Sequence, residues 1–271
     1  MATRVWQIDA FTDRAFAGNP AAVVPLERPA PERWMRALAT EMNLSETAFL
    51  WPEGELWRLR WFTPEAEVRL CGHATLASSH WLWESGALEP THPARFATLA
   101  GELVCRRDDE GAIEMDFPAR PPLPVDPVPG LAEALGATVQ WYGRNQDDYL
   151  VLLSDEWAVR ALSPELSVLA RLPVRGVIAT APAGEGRDYD FVSRFFAPGV
   201  GVAEDPVTGS SHCALAVYWS ERLGRDALTG FQASRRGGYV RVRRAADRVF
   251  LGGRAVTIFE AKLTEPAEPA P

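Results

Sequence analysis

The chain has 271 residues, of which 28 are basic and 36 are acidic, so its formal net charge is −8. This balance argues against a nucleic-acid-binding protein, because neutralising phosphates requires clustered basic residues. The sequence contains no run of about 18 apolar residues, and its N-terminus carries no apolar leader segment, so we expect a cytoplasmic protein without membrane association.

Helical and strand-like patterns are mixed along the chain, which indicates a protein with both α-helices and β-strands. Residues 31–42 and 74–85 have helical patterns, whereas residues 56–62 and 240–243 have patterns typical of strands. Both kinds of pattern occur in each half of the chain.

The proline-rich segment at residues 118–129 suggests where the two halves divide. Its six prolines exclude a helix or a central strand, so we interpret it as a linker. We therefore predict one half over residues 1–120, a second half over residues 125–262, and a flexible tail over residues 263–271.

The two halves share an internal repeat. In the first half Trp61–Pro64 is followed by Gly72–Thr75, and in the second half Phe195–Pro198 is followed by Gly209–His212. Each copy predicts an aromatic strand, a loop that ends in glycine, and a buried apolar helix that begins at that glycine. Because the first amides of a helix are unpaired, two such N-termini in one cleft would bind a small carboxylate.

Several cofactors do not fit the residues present. Lys262 is the only lysine, and it does not lie in a P-loop motif. A pyridoxal phosphate enzyme needs a lysine for its Schiff base, so this composition also argues against that class. Glu204 occupies the third glycine position of the one partial dinucleotide-binding pattern. The four histidines and three cysteines lack the spacing of zinc sites. We therefore expect no metal and no organic cofactor.

Four side chains near the repeated segments are candidates for chemistry, and each has a structural alternative. Glu46 can be a surface or capping carboxylate, and Asp205, which precedes a proline, can be a turn residue. His73 can cap its helix or pack in the core. Cys71 can be a small buried apolar residue.

The segments that carry these residues resemble the signature blocks of the phenazine biosynthesis-like (PhzF) family. The blocks occur in the family's order over residues 5–262, so the resemblance covers nearly the whole chain. They lie at residues 9–12, 16–24, 43–49, 71–75, 204–212 and 232–238.

The resemblance implies an α+β fold like that of diaminopimelate epimerase. Such a fold has two pseudo-symmetric α/β halves, each with a curled mixed sheet around a central helix, and an active site between the halves. It also implies a homodimer.

The same resemblance implies a cofactor-independent isomerase with a biosynthetic role, which moves a proton within a small carboxylate substrate. Glu46 takes the position of the catalytic acid/base, and His73 and Asp205 flank the substrate. One base suffices to move a proton on one face, whereas inverting a stereocentre needs an acid and a base on opposite faces. The implied substrate-binding residues are Asn19, Gly72, Gly209, Ser210 and Ser211.

Two alternatives remain open at this point. Epimerases and racemases of the same fold use two cysteines, and Cys71 precedes Gly72, so a racemase, epimerase or dehydratase that uses Cys71 is the first. Thr208 stands where the second cysteine would be, which weakens this alternative. The second alternative is a non-catalytic protein that binds small acids.

Overall fold

The computed structural model describes residues 3–264, which form two compact units. The first unit contains the residues up to 116 together with those from 252 onward, and the second contains residues 117–251. None of the helices within residues 3–264 is long and apolar enough to cross a membrane.

The described residues form strands and helices in both units, numbered here in chain order. The strands are β1 (Arg4–Ala10), β2 (Asn19–Pro25), β3 (Glu46–Glu53), β4 (Leu56–Phe62), β5 (Glu67–Val68), β6 (Ala94–Thr98), β7 (Gly101–Arg107), β8 (Ile113–Pro118), β9 (Leu123–Pro124), β10 (Trp141–Arg144), β11 (Asp148–Leu152), β12 (Gly176–Pro182), β13 (Phe191–Phe196), β14 (Ala227–Gln232), β15 (Gly238–Ala245), β16 (Arg248–Gly253) and β17 (Ala255–Lys262). The helices are α1 (Glu32–Met42), α2 (Gly72–Glu84), α3 (Leu131–Leu135), α4 (Glu156–Arg160), α5 (Leu166–Leu169) and α6 (Gly209–Leu223).

The elements predicted from the sequence patterns are present. Helices α1 and α2 correspond to the helical patterns at residues 31–42 and 74–85, and β4 coincides with the strand pattern at residues 56–62. Helix α1 ends at Asn43, which adopts a left-handed conformation and donates its N–H to the carbonyl oxygen of Ala39. Asparagine tolerates this conformation better than most residues, so it stops the helix and redirects the chain towards β3.

The sheet of the first unit has β1 between β17 and β2, with both pairings antiparallel. From there β2 is parallel to β3, β3 is antiparallel to β4, β4 is parallel to β6, and β6 is antiparallel to β7. Helix α2, which joins β4 to β6 through β5, packs against β1, β2, β3 and β17. Most of its residues are buried, so it is a central helix of this unit.

The second unit repeats this order of pairings. Strand β11 is parallel to β12, β12 is antiparallel to β13, β13 is parallel to β14, and β14 is antiparallel to β15. Helix α6 joins β13 to β14, packs against β14 and β15, and is largely buried. The internal repeat of the sequence is therefore a repeat of structure, and its two central helices begin at Gly72 and Gly209 as predicted.

The C-terminal strand departs from the division proposed from the sequence. Strand β17 belongs to the first unit, not to a second half over residues 125–262, because it pairs with β1 along its whole length. Leu263, the expected first residue of the tail, extends this ladder by donating its N–H to the carbonyl oxygen of Thr3 at 2.9 Å. The rest of the expected tail, from residue 265, lies outside the described residues.

The proline-rich segment is also more structured than a linker. Its residues Leu123 and Pro124 form β9, which pairs antiparallel with Gly143 and Arg144 of β10. Proline is compatible with a strand this short because few of its N–H groups have to be paired.

Candidate active site

A carboxylate and an imidazole lie side by side in the first unit. Glu46 is the first residue of β3 and is aligned with Ala21 of the parallel strand β2, while His73 is the second residue of α2. Nε2 of His73 lies 3.3 Å from Oε2 of Glu46. The side chain of Glu46 is 19% exposed and that of His73 is 7% exposed. The Glu46 side chain is therefore partly exposed, whereas the imidazole is enclosed.

Asn19 contacts the other ring nitrogen of His73. It is buried at the start of β2, and its Nδ2 lies 3.3 Å from Nδ1 of His73. A hydrogen bond donated by this amide to Nδ1 corresponds to the tautomer with its ring proton on Nε2. Burial lowers the pKa of His73 to about 3. Near pH 7 the contact is therefore between a carboxyl group and a neutral imidazole, not between two charges.

The loop before Asn19 has a backbone that few residues can adopt. Gly18 has a φ of +64°, and a Cβ atom at this position would lie 2.1 Å from the carbonyl oxygen of Ala10. Phe16 also has a positive φ, of 67°, and donates its N–H to Oδ2 of the buried Asp9 at 2.8 Å. These contacts fix the path of the chain into β2 and so position Asn19 against His73.

Cys71 immediately precedes α2 and completes a cluster of three different ligand types. It is buried, and its Sγ lies 3.5 Å from Nδ1 of His73. One ligand atom from each of Glu46, Cys71 and His73 lies within 4.8 Å of the other two. Sulfur, nitrogen and oxygen atoms in such a set are able to hold a cation such as Zn²⁺.

Asp205 lies in the loop that leads into α6 of the second unit. Its N–H donates to the carbonyl oxygen of Phe195 at 3.1 Å, and its Oδ2 accepts the hydroxyl of Thr208 at 2.5 Å. Gln232 of β14 is fully buried beside this loop. Its Oε1 accepts the N–H of Thr208 at 2.9 Å, and its Nε2 donates to the carbonyl oxygen of Asp205 at 2.7 Å. One side chain thus holds both ends of the turn that carries Asp205.

The first turn of α6 consists of residues predicted to bind substrate. Gly209 and Ser211 are buried and Ser210 is half-buried. His212 follows them and donates from Nδ1 to the carbonyl oxygen of Thr208 at 2.8 Å. Burial lowers the pKa of His212 to about 4, although this hydrogen bond opposes the shift. His212 is therefore a neutral core residue that braces the start of the helix.

The predicted site residues thus form one group in each unit. Asn19, Glu46, Gly72 and His73 belong to the first unit, and Asp205, Gly209, Ser210 and Ser211 belong to the second. A single cleft shared by the two helix N-termini stays a prediction. The sequence analysis assigned no role to Gln232, because a side chain that bonds the main chain of a distant loop leaves no local pattern.

Comparison with known proteins identifies the family. Residues 8–261 match the family described as phenazine biosynthesis-like protein, PhzC-PhzF. The chain belongs to this family. An uncharacterized isomerase of Halalkalibacterium halodurans is 46% identical over 264 residues, which cover 97% of this chain and 99% of that protein. An uncharacterized isomerase of Pseudomonas aeruginosa is 49% identical over 257 residues, which cover 95% and 97%. The names of these relatives confirm the prediction of an isomerase.

Solved structures confirm the predicted fold. A PhzF family protein of Enterococcus faecalis has a TM-score of 0.93 at 38% identity, with 98% of this chain and 100% of that chain covered. A probable proline racemase of Agrobacterium radiobacter has a TM-score of 0.65 at 13% identity, with 98% and 94% covered, and is similar in fold alone. The class is the diaminopimelate epimerase-like α+β fold, in which each pseudo-symmetric half has a mixed sheet around a central helix.

Proposed function

We propose that this protein is a cofactor-independent isomerase that moves a proton within a small carboxylate substrate, with Glu46 as the acid/base. The observation that supports this most strongly is the partly exposed Glu46 side chain, whose Oε2 lies 3.3 Å from Nε2 of the enclosed His73. Only the ionised carboxylate can remove a proton, so Glu46 acts as the base in that form.

The proposed step needs only one proton-carrying group. Glu46 removes a proton from one carbon of the substrate, and the electron pair of the broken C–H bond moves into the neighbouring unsaturated system. The Glu46 carboxyl group then returns the proton to a second carbon on the same face. The substrate changes only in the positions of one hydrogen and one double bond, so no redox partner is required.

The distribution of thiols supports a single carboxylate over a pair of cysteines. Thr208 stands before Gly209, where an epimerase of this fold would have its second thiol. Cys213, one turn further along α6, is buried, and burial raises its pKa to about 12 despite the opposing effect of nearby arginines. Its thiol is therefore un-ionised near pH 7 and unsuited to act as the second base.

We also propose that the helix N-termini bind the carboxylate of the substrate while His73 and Asp205 flank it. The unpaired amides of a first helical turn and their partial positive charge favour an anion there, even in a protein of net charge −8. A homodimer, a cytoplasmic location and a biosynthetic role belong to the same proposal through the family resemblance. The proposed binding residues are Asn19, Gly72, Gly209, Ser210 and Ser211.

The proposal can be tested by deuterium exchange in D₂O. A panel of small unsaturated and amino carboxylic acids is incubated with the protein, and incorporation of deuterium at carbon is followed by NMR. For an acid that the wild type labels, we expect the rate of deuterium incorporation to be about 10²–10⁴-fold lower in Glu46→Gln, which is the usual effect of removing a general base. Glu41→Gln, which changes an exposed carboxylate on α1, is the matched control and should exchange at the wild-type rate.

The same test distinguishes the alternative in which the base is Cys71, whose thiol contacts His73. Near-normal exchange by Glu46→Gln, with loss of exchange in Cys71→Ser, would overturn the carboxylate mechanism in favour of the thiol. A protein that binds an acid from the panel but exchanges no deuterium into any of them would support the non-catalytic alternative.

A further inference from the structure

The cluster of Glu46, Cys71 and His73 has a ligand chemistry that proton transfer does not use. From these contacts we infer that the three side chains form a binding site for Zn²⁺, and that zinc bound there inhibits the enzyme by occupying the Glu46 carboxylate. Among residues 3–264, they are the group of three histidine, cysteine or acidic side chains close enough to hold one ion. Zinc binding itself does not depend on the proposed function, whereas inhibition rests on it.

On either side of the His73 ring, one pair of candidate ligand atoms is already at the separation found in a zinc site. Bonds of about 2.0–2.3 Å place the ligand atoms of tetrahedral zinc about 3.3–3.6 Å apart. Sγ of Cys71 lies 3.5 Å from Nδ1 of His73, and Oε2 of Glu46 lies 3.3 Å from Nε2. A metal uses only one nitrogen of the ring. The third ligand atom, which lies at most 4.8 Å from the other two, therefore has to move closer to them. The exposed part of the Glu46 side chain gives it room to make this movement.

Each of the three side chains offers zinc one ligand atom. The imidazole contributes the lone pair of one ring nitrogen. The Cys71 thiol loses its proton to solvent when the metal binds, since the thiolate is the ligand. If zinc takes Nε2, the ring proton moves to Nδ1, and the amide of Asn19 has to turn so that its oxygen accepts it.

The ligand set selects the kind of ion. One sulfur, one nitrogen and one carboxylate oxygen suit Zn²⁺, whereas Mg²⁺ prefers oxygen ligands in an octahedral arrangement. Three protein ligands leave one position of tetrahedral zinc open, and a carboxylate substrate can enter it. Zinc bound to one oxygen of Glu46 holds the carboxylate in place and lowers its basicity, so we expect zinc to inhibit and magnesium to have no effect.

The test uses the full-length chain and zinc chloride alone. We expect native mass spectrometry and a zinc titration to give one zinc per chain, and Co²⁺ to produce a thiolate charge-transfer absorption band. Cys71→Ala should weaken zinc binding by about tenfold or more and abolish the band. Cys105→Ala is the matched control, since Cys105 is equally buried but lies on β7 outside the cluster, and it should bind zinc as the wild type does.

Three results would overturn the site: no zinc bound by the wild type at micromolar concentrations, unchanged affinity in Cys71→Ala, or equal loss in Cys105→Ala. The cobalt spectrum of the wild type keeps the test decisive if Cys71→Ala fails to fold, because absence of the thiolate band also refutes the site. Failure of the proposed function can be told apart from failure of the zinc site. Zinc binding that needs Cys71, together with normal deuterium exchange in Glu46→Gln, would remove the acid/base role and leave the metal site standing.

Discussion

Gln232→Leu removes the side chain that holds the turn before α6 while keeping a similar volume. The N–H of Thr208 is buried and loses its acceptor, which costs about 1–3 kcal/mol. The carbonyl oxygen of Asp205 loses a donor at 2.7 Å, but this half-buried residue can bond water instead, so we assign that loss about 0–1 kcal/mol. We therefore expect the free energy of unfolding to fall by about 1–4 kcal/mol.

Urea unfolding followed by tryptophan fluorescence measures this loss as a lower midpoint concentration with an unchanged slope. Thr229→Val is the matched control, because Thr229 lies on the same strand but bonds Asp190 through its main chain. If Asp205 flanks the substrate as proposed, deuterium exchange should also slow in Gln232→Leu while the Thr229→Val rate is unchanged. An unaltered urea midpoint in Gln232→Leu, or the same decrease in both variants, would refute the role assigned to Gln232.

Three other predictions follow from features of the same chain. Burial alone would raise the pKa of Glu156, but hydrogen bonds from Tyr189 and other donors outweigh it and lower the pKa from 4.5 to about 2. Its ionised form should therefore stabilise the fold by up to about 3 kcal/mol above pH 4.5, less with screening, and this stabilisation is lost as the pH falls towards 2. The difference in urea midpoint between wild type and Glu156→Gln should accordingly shrink between pH 7 and pH 3.5, and a constant difference would contradict the assignment. Gly18→Ala should lower the free energy of unfolding by at least about 2 kcal/mol more than Gly54→Ala, measured by the same method. Both glycines have a φ near +64°, but only at Gly18 does a Cβ meet a carbonyl oxygen, so equal losses would argue against the clash. Finally, EDTA should leave the deuterium exchange of the wild type undiminished, and loss that a divalent ion restores would show that the chemistry needs a metal.

The sequence was sufficient to predict the features that depend on local pattern and on the internal repeat. The helices beginning at Gly72 and Gly209 follow from an aromatic strand, a glycine and an apolar run, which recur at similar spacing in both halves. The roles of Asn19, Glu46 and His73 were predicted from the family resemblance, and the structure places Asn19 and Glu46 beside the two nitrogens of the His73 ring.

Features that depend on distant pairing were not predictable in this way. The contact of Gln232 with Thr208 joins a strand to a loop 24 residues away, and no periodicity encodes it. The contact of the His73 ring with the side-chain amide of Asn19 joins residues 54 positions apart in the chain. The same limit explains why β17 was assigned to the second half, since its hydrophobic pattern does not indicate which strand it pairs with.

The antiparallel pairing of β1 with β17 affects the order in which the chain can fold during synthesis. All residues of the second unit are available once residue 251 has left the ribosome, whereas the sheet of the first unit is incomplete until β17, which ends at Lys262, has emerged. Domains usually fold from the N-terminal end as they are synthesised. Here the first unit has to wait for β17, which follows the second unit in the chain, so the second unit is the one able to fold first.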